Sequence, residues 1–282
     1  MLHRRIAKIA DKVKRNFWQL TIPFNNGHFS VVIDNPEIGM FAHLNVAIRI
    51  LRYADENGLR PDLRFVSANY ADPERESDWF NYHFEKVDAP SIKRPRHSLT
   101  IKTHRDLKLS RPDDLTLQQA RDLLFKYIRI KPEITEQVDA FCSQHGIGAN
   151  SLAVHYRGTD KSTEAPRVRY DAVIQAIEKT IEARGVSGPI FVASDEQRFV
   201  DTLLEHFPSG MVVAFEDSAR SDGTSPLHLT HRGAGNFAMG RDALINSLLL
   251  SRCSTIVRTC SLLSSWSSPP WCGPTWRQHT AR

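Results

Sequence analysis

A charged segment that follows one apolar run contains residue types suited to binding a diphosphate. Residues 151–164, SLAVHYRGTDKSTE, pass from the apolar LAV run into a turn that carries Arg157 and Lys161. A guanidinium can hold two phosphate oxygens in a fixed fork, and an ammonium adds a point charge beside it. Asp160 and Glu164 in the same turn could hold these cations in place or accept a proton. The alternative is a salt bridge from Asp160 to Arg157 or Lys161, with no ligand.

The turn must be positioned by a strand, and residues that follow other predicted strands are expected to lie beside it. Ligands of open α/β sheets bind at the carboxyl ends of parallel strands. The further candidates at this edge are Asp195, Arg241, Thr259, Ser261 and Ser264. Arg241 is predicted near the start of a helix, and helix N-termini attract phosphate. For Asp195, a role as the N-cap of the next helix is an equally open alternative.

Strands and helices alternate along the C-terminal half, which predicts a parallel sheet covered by helices on both faces. After the strand of residues 152–154, the predicted elements are helix 170–183, strand 188–195, helix 196–206, strand 211–215, helix 240–251 and strand 255–257. The N-terminal half begins with strand 29–33, a glycine-containing turn, helix 40–58 and strand 63–66, and continues with a short strand at 98–102 and helices 115–128 and 132–145. This order is Rossmann-like, and the C-terminal half shows it more clearly.

The chain is predicted to contain two domains and two flanking segments. We assign residues 1–20 to a basic amphipathic segment, 21–140 to an N-terminal Rossmann-like domain on the acceptor side, 141–264 to a C-terminal Rossmann-like domain that binds a nucleotide sugar, and 265–282 to an irregular tail. Residues 1–20 could lie on anionic lipid or pack on their own domain. The aromatic residues near 79–84 could form an acceptor surface, but packing in the N-terminal core is favoured.

Composition limits the class of protein without choosing a function. The 282 residues include 41% hydrophobic and 24% charged residues, as in an ordinary globular protein, and the formal net charge is +5. The positive charge is compatible with an anionic substrate, a phospholipid surface or nucleic acid. The 4 cysteines lack zinc-ligand spacing and are too sparse for a disulfide scaffold. With no apolar run of membrane-spanning length, we expect a cytoplasmic protein, with peripheral membrane contact left open.

Several motifs are missing from the sequence. There is no D-x-D motif and no cluster of His, Asp and Glu for a metal, so arginine and lysine are expected to neutralise a leaving diphosphate. There is also no G-x-S-x-G or Walker A motif, which argues against a serine hydrolase and a P-loop enzyme. No basic stripe interleaved with aromatic residues supports nucleic-acid binding.

Three motifs resemble those of the GDP-fucose-dependent α1,6-fucosyltransferases, the family of the nodulation and core fucosyltransferases. They are HYRGTDK with TEAP after it, FVASDE, and GRDALINSLLLSRCSTIVRTCSLLS at residues 240–264. The resemblance covers roughly residues 131–264, and GMFAHLNVAIRILRYADENG extends it more loosely. It implies an α/β, GT-B-like fold of two facing Rossmann-like domains, with parallel sheets covered by helices.

The resemblance also implies inverting, metal-independent transfer of fucose from GDP-fucose to a sugar hydroxyl of a glycan acceptor, without a cofactor. By position, Arg157 would grip the β-phosphate, Lys161 and Asp160 would assist, and Glu164 is similar to the catalytic base. The other residues carried over to the nucleotide-sugar site are His155, Asp195, Arg241, Asn246 and Ser261.

The sequence departs from the family pattern at three places. Glu164 lies one residue closer to Lys161 than in the eukaryotic enzymes, Asn246 stands where an acidic residue is common, and the tail after about residue 265 is irregular. A GDP-binding but catalytically degenerate or truncated relative, and a glycosyltransferase using another nucleotide sugar, therefore remain as alternatives. The identity of the acceptor stays open.

Overall fold

The computed structural model describes residues 28–87, 98–102, 115–158, 168–215, 235–259 and 277–280, together with the single positions 13 and 220. The strands are β1 (His28–Ile33), β2 (Arg60–Phe65), β3 (Phe84–Lys86), β4 (Ser98–Ile101), β5 (Ile128–Ile130), β6 (Leu152–Tyr156), β7 (Ile190–Ser194), β8 (Val212–Ala214), β9 (Thr255–Arg258) and β10 (Arg277–Thr280). The helices are α1 (Met40–Glu56), α2 (Phe80–His83), α3 (Leu117–Tyr127), α4 (Pro132–His145), α5 (Tyr170–Arg184), α6 (Gln197–His206) and α7 (Asn236–Arg252).

The N-terminal half contains a parallel sheet in the strand order β2, β1, β4. Val31 of β1 lies opposite Leu63 on one side and Leu99 on the other. Helix α1 has its apolar residues at helical spacing and buries them, among them Leu44 and Leu51. The helix ends at Glu56 with Asn57 as its C-cap, close to the Asn57-Gly58 stop that the sequence predicts, and Gly58 has φ of 62° in the left-handed region that favours glycine. Strands β3 and β5 form a separate antiparallel pair.

The C-terminal half contains a larger parallel sheet in the order β10, β9, β6, β7, β8. All five residues of the central strand β6 are buried. Leu152, Val154 and Tyr156 share a core with the apolar residues of α5 and α6. Ala153 belongs to the other core, to which α4 and α7 contribute. Helices therefore cover both faces of this sheet, as the alternation of elements predicts.

The N-terminal and C-terminal halves pack against each other through helix α7. The amide of Asn236 donates hydrogen bonds to the carbonyls of Ala68 at 3.2 Å and Ala71 at 2.8 Å. The ring of Phe237 lies 5.2 Å from that of His83, and the Arg75 guanidinium lies 3.8 Å from the centre of the Phe237 ring. One buried core accordingly joins β1 and α1 to α7.

The aromatic residues after β2 belong to the core. Trp79 and Phe80 are 0% exposed, and Tyr82 and Phe84 are buried beside them. The ring of Phe65 lies 4.8 Å from that of Trp79 and 5.2 Å from that of Phe80, and the ring of Phe84 lies 5.3 Å from that of Phe80. The favoured interpretation of this segment is therefore confirmed, and the acceptor-surface alternative is wrong for these four rings.

Two local predictions differ from the structure. Helix α7 begins at Asn236, not at residue 240, so Arg241 lies beyond its first turn and the placement of Arg241 near a helix start is wrong. Gly235, with φ of 106°, directly precedes the helix, and Gly240 within the helix interrupts the helical pattern in the sequence. In the tail, Arg277–Thr280 form β10, which pairs with β9. Edge pairing through backbone groups requires no hydrophobic periodicity, and the sequence therefore gave no sign of it.

The domain boundary predicted at residue 140 falls within α4, whose Phe141 packs on Phe191 and Phe215 of the C-terminal half. Within the described part of the chain, no helix combines the length and apolar character needed to cross a membrane.

Candidate functional site

The turn after β6 is tied to the strand ends on both sides of it. The backbone N–H of Arg157 donates to Oγ1 of Thr259 at 2.9 Å, and the N–H of Thr259 donates to the carbonyl of His155 at 3.0 Å. On the other side, the N–H of Gly158 donates to Oδ1 of Asp195 at 3.3 Å. The structure thus brings together His155, Arg157 and Asp195 at the carboxyl edge of the sheet, as predicted.

Asp195 does not cap the helix that follows it. Helix α6 has Glu196 at its N-cap position, with no capping hydrogen bond from that side chain. The Asp195 carboxylate instead accepts the hydrogen bond from Gly158. The N-cap alternative is therefore wrong, and Asp195 helps to hold the turn that carries Arg157.

Glu196 lies beneath the same turn. It is 1% exposed and accepts a hydrogen bond from the hydroxyl of Tyr170. A Cβ atom at position 158 would lie 2.1 Å from its Oε1, so the close approach of the turn to this carboxylate requires a glycine. The sequence motif SDE indicated Asp195 as a site residue. The role of Glu196 in packing depends on its contact with Gly158, which the order of residues in the sequence does not reveal.

His155 is a buried, neutral imidazole. It is 5% exposed, and within the described residues its Nδ1 has no hydrogen-bond partner. Burial, followed by the positive charges of Arg157 and Arg258, lowers the pKa of His155 to about 3. The ring therefore carries no charge near neutral pH and can act there only as a hydrogen-bonding or stacking group.

Arg258 is a cation at this edge that the sequence analysis did not single out. It lies at the end of β9, directly opposite His155 of β6. The signal was available, because TIVRT at residues 255–259 repeats the pattern of an apolar strand followed by arginine. The predicted candidates after that strand were instead the hydroxyl residues Thr259, Ser261 and Ser264.

Tyr70 of the N-terminal half faces Arg157. Its hydroxyl accepts a hydrogen bond from the N–H of Met40 at 3.0 Å, and the side chain is buried. Burial raises the pKa of Tyr70, while the Met40 N–H and the charge of Arg157 oppose that rise. The charge of Arg157 therefore acts across the junction of the two halves. Tyr70 lies in the turn after β2, a strand-end position that the sequence analysis left aside.

The two predicted residues on α7 occupy different positions from the strand-end group. Arg241 forms an ion pair with its neighbour Asp242, whose Oδ1 lies 2.9 Å from Nη2 of Arg241. Asn246 is buried and donates from Nδ2 to the carbonyl of Asp242 at 2.9 Å. At 1.5 Å per residue, Asn246 lies about 15 Å along the helix from its start.

Four predicted site residues lie outside the described part of the chain: Asp160, Lys161, Glu164 and Ser261. Their roles stay predictions. Among the residues that the structure describes, no group of three His, Cys, Asp or Glu side chains could hold a metal ion.

Comparison with known proteins finds relatives whose amino-acid sequences are similar to that of this chain. No family model matches it. The chain is 27% identical over 150 residues to nodulation protein Z of Sinorhizobium fredii, a match that covers 50% of this chain and 45% of that protein. It is 29% identical over 150 residues to nodulation protein Z of Bradyrhizobium diazoefficiens, covering 50% and 39% of the two chains. The matched region thus spans less than half the length of either relative.

Solved structures resemble this protein in fold, and they cover a longer part of its chain than the sequence relatives do. The NodZ α1,6-fucosyltransferase co-crystallised with GDP has a TM-score of 0.55 at 19% identity and covers 85% of this chain and 91% of its own. POFUT1 in complex with GDP has a TM-score of 0.51 at 12% identity and covers 90% and 98%.

The fold is therefore GT-B-like, with two facing Rossmann-like domains and parallel sheets covered by helices, as predicted. The matches to nodulation protein Z in sequence and to the NodZ α1,6-fucosyltransferase in fold confirm the resemblance that the three sequence motifs indicated.

Proposed function

We propose that this protein is an inverting, metal-independent glycosyltransferase that moves fucose from GDP-fucose to a sugar hydroxyl of a glycan acceptor. The observation that carries the proposal is the position of Arg157. Thr259 and Asp195 at the neighbouring strand ends hold its turn by hydrogen bonds, and its charge opposes the rise in the pKa of Tyr70 in the opposite half. A diphosphate bound between two Rossmann-like domains would meet this cation. NodZ crystals with GDP and soaked with GDP-fucose support the choice of donor.

The proposed reaction is a single displacement. The acceptor hydroxyl attacks the anomeric carbon of fucose, the bond from that carbon to the phosphate oxygen breaks, and GDP leaves with the electron pair. Arg157 and Lys161 neutralise the charge that develops on the diphosphate. Glu164 takes the proton of the attacking hydroxyl. Attack from the side opposite to GDP inverts the anomeric configuration.

The remaining predicted residues contribute to binding the nucleotide sugar. Asp195 holds the turn of Arg157 through Gly158. His155 supplies an uncharged ring beside it, because its pKa of about 3 keeps the imidazole neutral. Asp160 and Ser261 complete this set by analogy with the family. If Arg241 contacts the nucleotide sugar, its guanidinium binds the ligand while it also pairs with Asp242. If Asn246 contacts the ligand, its side-chain amide oxygen accepts the hydrogen bond, because Nδ2 donates to the carbonyl of Asp242.

The first experiment is a melting-temperature screen against GDP, UDP, ADP and their sugars. The proposal predicts stabilisation by GDP and GDP-fucose, whereas stabilisation by UDP-sugars alone would reject the donor assignment. Release of GDP from GDP-fucose is then measured with chitooligosaccharide and other glycan acceptors. Stabilisation by GDP without turnover on any acceptor would support the GDP-binding, catalytically inactive alternative.

The second experiment tests the residues. Arg157→Ala should lower the transfer rate about 10²- to 10³-fold, the usual loss when one group that stabilises developing charge is removed. Arg169→Ala is the matched control, because Arg169 lies at the start of α5 and pairs with Asp171 in solvent. Chelation by EDTA should leave the rate unchanged, and the product should have the anomeric configuration opposite to that of the donor. A rate within a few-fold of wild type for Arg157→Ala would reject its role.

Binding of residues 1–20 to anionic membranes is a separate part of the proposal. The basic residues of this segment predict binding to vesicles that contain phosphatidylserine and no binding to neutral vesicles. A variant chain without these residues is the control.

A further inference from the structure

We propose that Arg258 is a second guanidinium of the donor site and binds the diphosphate of the nucleotide sugar together with Arg157. The inference rests on the proposed function, and it adds a residue that neither the sequence motifs nor the family resemblance assigned. It is argued from strand register, from the buried His155, and from the hydrogen bonds at the ends of β6 and β9.

Strand register places Arg258 on the same face of the sheet as His155. His155 of β6 lies directly opposite Arg258 of β9. Ala153 and Ile256 of the same two strands belong to one core, and side chains alternate between faces, so His155 and Arg258 point to that core's side. Arg157 is the first residue after β6, two positions beyond His155, and its charge acts on the His155 ring together with that of Arg258.

The backbone holds the two arginines close together. The N–H of Arg157 donates to Oγ1 of Thr259, the residue next to Arg258, at 2.9 Å. The N–H of Thr259 returns a bond to the carbonyl of His155 at 3.0 Å. Neighbouring strands are about 4.8 Å apart, which is well within the reach of two arginine side chains to one anion.

His155 provides the independent observation. It is 5% exposed, and its Nδ1 has no hydrogen-bond partner among the described residues. Both arginines act on it electrostatically, and it stays neutral because its pKa is lowered to about 3. Two guanidiniums are thus arranged around an uncharged buried ring at the edge where ligands of parallel sheets bind. A diphosphate, with several oxygens and a charge shared between them, matches a pair of guanidiniums better than a sugar does.

The test compares ligands that differ only in phosphate. Binding of GDP, GMP and guanosine is measured by calorimetry for the wild type, Arg258→Ala, Arg258→Lys and the control Arg252→Ala. Arg252 is the last residue of α7 and pairs with Asp139 at 2.7 Å, on the protein surface. Loss of a hydrogen bond to a charged group predicts that Arg258→Ala weakens GDP binding by about 10- to 100-fold. Guanosine binding should change little. Arg258→Lys should bind GDP with an affinity between those of the wild type and Arg258→Ala, because lysine keeps the positive charge but lacks the forked guanidinium.

Each outcome has a defined meaning. Equal losses for GDP and guanosine would show that Arg258 only supports the structure, and an unchanged affinity for GDP would show that it makes no contact; either result overturns the inference and leaves the proposed function standing. If the wild type binds none of the three ligands, the proposed function fails, and the inference fails with it. A selective loss with the phosphate-bearing ligands, absent in Arg252→Ala, supports the inference.

Discussion

Gly158 lies directly against the carboxylate of Glu196. A Cβ atom at position 158 would be 2.1 Å from Oε1 of Glu196 and 2.8 Å from Cε1 of Tyr156. Tyr156 is 0% exposed and Glu196 is 1% exposed, so neither side chain has free space to move into. The turn that carries Arg157 can therefore follow this path only with glycine at position 158.

Gly158→Ala is expected to destabilise the protein by about 1–3 kcal/mol, the usual cost of overpacking a well-packed site. For a protein of this size that corresponds to a fall in melting temperature of several degrees. GDP affinity should fall too, since the turn of Arg157 must shift. Gly148→Ala is the control, because a Cβ there would meet nothing within 4 Å. Equal melting temperatures for the two variants would contradict the close contact.

Thr259→Val is expected to weaken GDP binding and to lower the free energy of unfolding by about 1–3 kcal/mol. The change removes the hydroxyl that accepts the N–H of Arg157 at 2.9 Å and leaves that N–H without this partner. Thr259→Ser keeps the hydroxyl and should behave nearly as the wild type. Calorimetric titration with GDP and urea denaturation measure the two effects. A Thr259→Val variant that binds GDP and unfolds like the wild type would contradict a role for this hydrogen bond.

Tyr70→Phe is expected to lower stability by about 1–3 kcal/mol through loss of the acceptor for the N–H of Met40. Because Arg157 lies near enough for its charge to oppose the rise in the pKa of Tyr70, a shift of the Tyr70 turn should also weaken GDP binding. Tyr53→Phe is the control, on the outer part of α1 where the ring contacts Phe29. Urea denaturation and GDP titration of both variants are the measurements. A fully wild-type Tyr70→Phe would show that Met40 finds another partner.

Acid should destabilise the protein through two buried histidines. Burial, with nearby positive charges, lowers the pKa of His83 and His155 to about 3, below the unfolded value near 6.5. As the pH falls, the unfolded state therefore binds more protons than the folded state. The contribution of the two histidines to the free energy of unfolding is fully present above about pH 6.5 and is lost as the pH falls toward 3. Lowering the pH from 8 to 5 should reduce the free energy of unfolding by about 2 kcal/mol for each histidine.

The pH prediction is tested by urea denaturation of the wild type, His83→Gln, His155→Gln and the double variant. Each substitution should flatten the fall in stability below pH 6.5, and the double variant should flatten it most. Measurements at pH 8 give the cost of each substitution apart from titration. A wild-type curve that stays level from pH 8 to pH 5 would contradict the neutral state of these rings.

Most elements could be predicted because their signals are local. Helix α4 begins at Pro132 and ends at His145 as predicted, since proline favours the first helical position and Gly146 terminates the helix with φ of 66°. Strands β1 and β7 appear as short apolar runs. The start of α7 and strand β10 were missed, because one depends on packing of Asn236 against Ala68 and the other on pairing with β9.

The candidate site was predictable only in part. The positions of Arg157 and Asp195 at one edge follow from the rule that parallel strands present their carboxyl ends together. Arg258 and Tyr70 were missed, because their relation to the turn depends on which strand lies beside β6 and on how the two halves face each other. Both are properties of pairs of residues far apart in the chain.

The amino-acid sequence by itself determined the alternation of strands and helices, and with it the class of fold and the edge at which chemistry was expected. Only the tertiary structure decided what each residue at that edge contacts. Asp195 could cap a helix or hold a turn, and its hydrogen bond to Gly158, 37 residues away, selected the second role. Periodicity and turn residues act over a few positions, whereas register, burial and charge at a site arise from packing between distant segments.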